Sequence, residues 1–144
     1  MRKTCWFLTG LVVATACKTT TEPYADLRVE TSVGTFTVLG APLGITTTVT
    51  NESSRPVTIY AGTCPVHFRV ESSTGSTIPL PIQTCAAIKI TVTLVPGGIH
   101  RFTDQWDGRD RNGTRITGTY LIIGQPFSDS GPQSAPVTVQ LPQN

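Results

Sequence analysis

From residue 27 onward, apolar and polar side chains alternate with a period of two, the pattern of strands buried on one face. In LRVETS, Leu27 and Val29 fall on one side. ITTTVTN gives Ile45, Thr47 and Val49 a shared face. In VHFRVES, Val66, Phe68 and Val70 oppose His67, Arg69 and Glu71, which reads His67 as facing solvent. IKITVTLVP sets Ile88, Ile90, Val92 and Leu94 against Lys89, Thr91 and Thr93. TFTVLG, PVTIYAG, HRFTDQW, GTYLIIG and PVTVQLP complete the set. The turn-forming stretches NESSRP, STGS, VPGG, DGRDRNG and DSGPQS separate the runs. About eight or nine short strands at this spacing predict an all-β fold. Uneven loops point to an antiparallel β-sandwich of two packed sheets rather than a closed barrel.

The stretch WDGRDRNG, Trp106 to Gly113, follows the strand that carries Phe102. Both rings are expected in the core, with Trp106 closing the strand, Asp107 capping the turn and Gly108 at positive φ. Asn112-Gly113 is the strongest hairpin signal in the chain and predicts a type I′ turn, with TRITGTYLIIG returning as the partner strand. Asp104 falls on the same face as Phe102 and Trp106. Either a bulge turns it outward, the reading adopted, or it points inward and pairs with Arg101 or Arg115. A calcium loop does not fit this stretch. With Gly113 at position 6 of an EF-hand frame, Gly108 and Thr119 occupy positions 1 and 12, where oxygen ligands are required.

The first residues change the address. MRK followed by the uncharged run TCWFLTGLVVATA reads as an export signal over residues 1–16, too short for a stable membrane span. Its end, ATAC, admits an A-x-A cleavage site or a lipobox that acylates Cys17, with Ala14 where leucine is usual. Lipidation is the reading adopted, and a soluble secreted protein is the alternative. Residues 17–25, Thr-rich and polar, then form a flexible tether, and 26–144 the domain. Lys18 after Cys17 suits transfer to the outer membrane if the cell is Gram-negative.

Composition follows from that division. The whole chain has 11 basic against 9 acidic residues, but Arg2 and Lys3 leave with the signal, so the remainder is formally neutral. No basic face for nucleic acid is implied. Cys5 also leaves, and Cys64 and Cys85 are expected to pair as a disulfide in an oxidising compartment. His67 and His100 stand at no metal-ligand spacing from them, so no metal and no cofactor is expected.

No catalytic motif emerges. SDSGP (Ser128 to Pro132) has no matching base segment and reads as a turn. The chain lacks a P-loop, a dinucleotide fingerprint, H-E-x-x-H and G-x-S-x-G. Asn51 and Asn112 match the glycosylation triplet; if the lipobox reading holds, the source is bacterial and the matches are chance. The candidate contact surface is TIPLPIQTCAA, where Ile78, Leu80 and Ile82 alternate with Pro79 and Pro81. Prolines stiffen the segment, and a stiff apolar loop binds with little ordering cost. The competing reading is an irregular edge strand with its apolar side chains in the core.

VTNESSRPVTIY, HFRVESSTG and LVPGGIHRFTDQWDGRDRNGTRITGTYLI, in that order, resemble the BsuPI family of proteinase-inhibitor domains. Val95-Pro96-Gly97-Gly98 stands where that family often has Pro-Gly-Glu, and the likeness covers about residues 45 to 124. The resemblance implies an immunoglobulin-like sandwich and proteinase inhibition. The expectation is a non-enzymatic, lipid-anchored envelope protein that contacts a protein partner, a protease in the inhibitor reading. The alternative is an accessory module of an envelope assembly without inhibitory activity.

Overall fold

A computed structural model describes residues 24–35, 41–61, 66–81, 90–127 and 131–143. The alternating runs form nine strands: β1 (Leu27–Val33), β2 (Leu43–Asn51), β3 (Val57–Tyr60), β4 (Phe68–Ser72), β5 (Thr77–Ile78), β6 (Thr91–Leu94), β7 (Ile99–Trp106), β8 (Gly118–Gly124) and β9 (Val137–Leu141). All pairings between them are antiparallel. They make a sheet β1-β2-β7, a sheet β5-β4-β8-β9 and a pair β3-β6, giving the all-β, sandwich-like fold that the alternation predicts. No helix among the described residues is long and apolar enough to cross a membrane.

The long strands β2 and β7 organise the core. Their ladder is unbroken from Leu43↔Trp106 to Thr50↔Ile99. Every second residue of β2, from Leu43 to Asn51, is buried. One end of this face packs on the four-stranded sheet, where Leu43, Ile45 and Trp106 join Phe68, Val70, Ile122 and Leu141. The other end packs on the β3-β6 pair, where Val49 and Phe102 join Leu27, Val29, Ile59 and Leu94. Trp106 and Phe102 are thus both core residues, as expected, but of different clusters. On β6, Val92 and Leu94 pack into this second cluster while Ile90, which the alternation assigns to the same face, is exposed just before the strand.

One topological expectation fails. β8 does not return beside β7. It pairs with β4 and β9 in the facing sheet, and only an isolated bridge, Arg109↔Arg115, joins the two arms of the turn. The turn therefore carries the chain from one layer to the other. A tight turn specifies a local reversal, and layer choice is decided by which strands bury the apolar side chains of Ile122 and Ile123.

At the second cluster's end, Asn51 is fully buried. Its Nδ2 donates to Arg55 O at 2.8 Å and Leu94 O at 2.9 Å. Its Oδ1 accepts from the Ser53 N–H at 3.0 Å and the Ser53 hydroxyl at 2.7 Å. Its backbone pairs with Gly97 and Gly98. One side chain therefore ties the end of β2 to the 52–55 loop and to the β6–β7 turn. That turn has Pro96 second, Gly97 third at φ +73° and Gly98 N–H donating to Val95 O at 2.7 Å, a type II reversal. Asn51 is closed to a glycan.

Candidate functional site

At the opposite end of β2 and β7, two segments singled out from the sequence meet. Trp106 donates its Nε1–H to Arg109 O at 2.9 Å, so the ring that anchors the strand also closes the bend after it. Asp107 Oδ1 accepts the Arg109 N–H at 3.2 Å and Gly108 takes φ +76°, both as expected. Arg109 pairs with Asp107 at 3.3 Å and donates to Gly113 O at 2.6 Å.

The type I′ turn on Asn112-Gly113 does not form. Gly113 N–H donates to Asp110 O at 3.0 Å and Asp110 N–H to Thr114 O at 2.9 Å, so Arg111, Asn112 and Gly113 span the tip with Gly113 at φ +78°. This is a three-residue loop with glycine at its left-handed position. The cause is Asp110. Its Oδ1 accepts the N–H of Asn112 at 2.9 Å and of Thr114 at 2.8 Å, which moves the reversal one residue upstream. With Asp110 facing the turn's own amides and Asp107 facing Arg109, both carboxylates are engaged within the loop.

Ile78 ends the short edge strand β5. Ile78 and Leu80 pack half-buried against the first cluster, while Pro79 and Pro81 are exposed. The segment therefore presents prolines to solvent and aliphatic side chains to the core. Pro79 O accepts the Arg111 N–H at 2.8 Å, which clips it to the turn. Between them lies a cleft of about 240 Å³. Leu80 and Pro81 form one wall, Gln105, Trp106 and Asp107 the other, with Pro42, Val66 and Phe68 between. Ile82, Cys17, Cys64 and Cys85 lie outside the described residues.

A second cluster, unforeseen from the sequence, lies midway along β2 and β7 where the apolar clusters meet. The bulge expected at Asp104 is absent, since Ile45↔Asp104 is an ordinary rung of the ladder. Asp104 points inward and its partner is His67, not Arg101 or Arg115. Asp104 Oδ2 lies 3.2 Å from both His67 Nδ1 and His67 N, with the side chains only 12% and 13% exposed for His67 and Asp104. His67 therefore does not face solvent. Just before β4 its carbonyl accepts from Thr47 Oγ1 at 3.2 Å and Gln125 N–H at 2.8 Å, and its ring stacks on Phe102 at 4.0 Å. His100, in β7, meets the same Phe102 edge-on at 4.7 Å. Gly124 keeps the layers close here. A Cβ at that position would press on Thr47 and Thr31.

The seam joins an imidazole to a carboxylate, an arrangement that in hydrolases orients a base. Here the Thr47 hydroxyl donates to the His67 carbonyl. The pair satisfies two polar groups between two apolar clusters, as burial requires. No group of three or more potential metal ligands gathers among the described residues.

His100 is held below its ordinary value of 6.5, first by burial and second by the neighbouring His67. The folded chain thus binds this proton less readily than the unfolded chain. Stability is intact above the ordinary histidine range and falls as pH drops through it toward the lower folded value. Urea unfolding at pH 7.5 and 5 should show a loss of stability on acidification that is smaller in His100→Gln. An equal loss in both proteins would remove His100 as a source.

Comparison with protein-family models finds no match to this chain, and comparison with the curated proteins finds no similar sequence.

Proposed function

We propose that this chain is a lipid-anchored protein of a bacterial envelope, acylated at Cys17 and braced by a Cys64–Cys85 disulfide, whose sandwich acts by protein contact and not by catalysis. The supporting observation is one of position. The tether reaches the fold at the Asn51 end of β2, where Glu52 N–H donates to Asp26 O at 3.0 Å. The cleft between Leu80 and Trp106 lies at the other end of the same strand, roughly 27 Å away at about 3.4 Å per residue. An anchor at one end leaves the cleft facing outward. Its walls are clipped by the Arg111–Pro79 bond and the Asp110 turn, so a partner would meet a surface already ordered.

The BsuPI resemblance directs the choice of partner to a protease, which makes the domain an inhibitor-type module. The full chain, incubated at micromolar concentration with a panel of serine proteases, should inhibit at least one of them, and Arg111→Glu should weaken that inhibition. An unaffected panel would turn the reading to an accessory immunoglobulin-like module of an envelope assembly.

A further inference from the structure

We infer that the β6–β7 turn, with Val95 and Ile99 on its flanks, rests on the lipid bilayer and stands the sandwich upright on the membrane. The inference rests on anchoring at Cys17. Val95 is 60% exposed and Ile99 51%, among the most exposed large apolar residues described. They bracket a tip of Pro96, Gly97 and Gly98 that carries no charge. Exposed aliphatic side chains on a rigid, uncharged tip suit burial among acyl chains.

Covalent reach brings the tip to the membrane. Tyr24 is the first described residue, fixed by stacking on Phe127 at 4.5 Å and by the Leu27 N–H on its carbonyl at 3.1 Å. Tyr24 belongs to the segment read as a tether, so the tether proper is shorter than the sequence suggests. Six residues lie between Cys17 and Tyr24, and even fully extended this stretch spans at most about 25 Å. From Tyr24, backbone bonds lead directly to the tip: Asp26 O to Glu52 N, and Asn51 to Gly97 and Gly98. An acyl chain at Cys17 therefore keeps this end of the molecule within about 25 Å of the bilayer.

Among the described residues, charge at this end is balanced. Arg28 pairs with Glu30 and Glu52, and Arg55, Arg101 and Asp26 are exposed. The contact is therefore apolar, and raised salt should leave it unchanged.

The test places a reporter tryptophan at the tip. Lipidated full chain carrying Ile99→Trp or, separately, Val95→Trp is reconstituted in vesicles of equal parts phosphatidylethanolamine and phosphatidylglycerol with brominated acyl chains. Arg111→Trp, at the cleft end, is the control. The expected result is quenching of the added emission at 99 and 95 but not at 111, insensitive to salt. Vesicle-bound protein with all three reporters unquenched would overturn the inference and leave anchoring intact. Protein that does not float with the vesicles would overturn both.

Discussion

Replacing Asn51 with alanine should destabilise the fold by about 3–4 kcal/mol, because it strands several polar groups together. Leu94 O and the Ser53 amide lose their Asn51 partner inside the fold, and Arg55 O and the Ser53 hydroxyl are left with each other at 2.7 Å. For a domain of this size such a loss lowers Tm on the order of 15 °C. Asn51→Asp separates hydrogen bonding from size. It keeps the acceptor for Ser53 but turns a carboxylate oxygen toward the carbonyls of Leu94 and Arg55. At neutral pH it should be at least as damaging as alanine. Part of the loss should return on acidification, when a protonated carboxyl can donate to one of the two carbonyls. Urea unfolding of both variants at two pH values checks this. An Asn51→Ala protein within 1 kcal/mol of the parent would mean that water substitutes for the side chain.

Trp106→Ala should cost about 3–5 kcal/mol, the range for truncating a buried aromatic. The ring fills the space between Leu43 and the four-stranded sheet and also holds the Arg109 carbonyl. Trp106→Phe divides the two contributions. It keeps most of the ring's burial and gives up the hydrogen bond, so a cost of about 1–2 kcal/mol is expected. The functional consequence should be larger than that number suggests. Trp106 lines the cleft and sets the start of the turn whose Arg111 clips Pro79. Amide hydrogen exchange in Trp106→Phe should therefore quicken at Arg111 while β1 and β2 keep their protection.

What could be read in advance, and what could not, divides by distance along the chain. The faces of β1, β2 and β4 were legible because alternation is a local property, and a one-residue slip would expose Leu27, Val29, Ile45 and Val49 together. Asp107 and Gly108 were legible for the same reason. The layer taken by β8 was not. Asn112-Gly113 signals a reversal, and nothing in those residues says whether the returning arm rejoins β7 or crosses to β4. The turn type was misread because Asp110, two residues upstream, outbids the Asn-Gly pair by capping two amides.

The polar seam was hidden for a related reason. His67 and Asp104 are 37 residues apart, and no local pattern joins them. A signal existed in the parity of Asp104, which falls on the inward face between Phe102 and Trp106. An acidic residue there calls for a buried partner, and the arginines weighed from the sequence were not the histidine that supplies it. Asn51 carried the same kind of signal, a polar residue closing the inward stripe of β2. Polar residues that obey the apolar period mark the places where layers are joined.

In the proposed role, a membrane-held sandwich presents its Trp106 end to a protein partner. Photo-crosslinking in native membranes tests it most directly, with the reactive group placed at Arg111 beside the cleft or at Thr103 on the exposed outer face of β7. A discrete protein adduct from position 111 and none from 103 is the predicted result. No adduct from 111, or the same adduct from both positions, would contradict it.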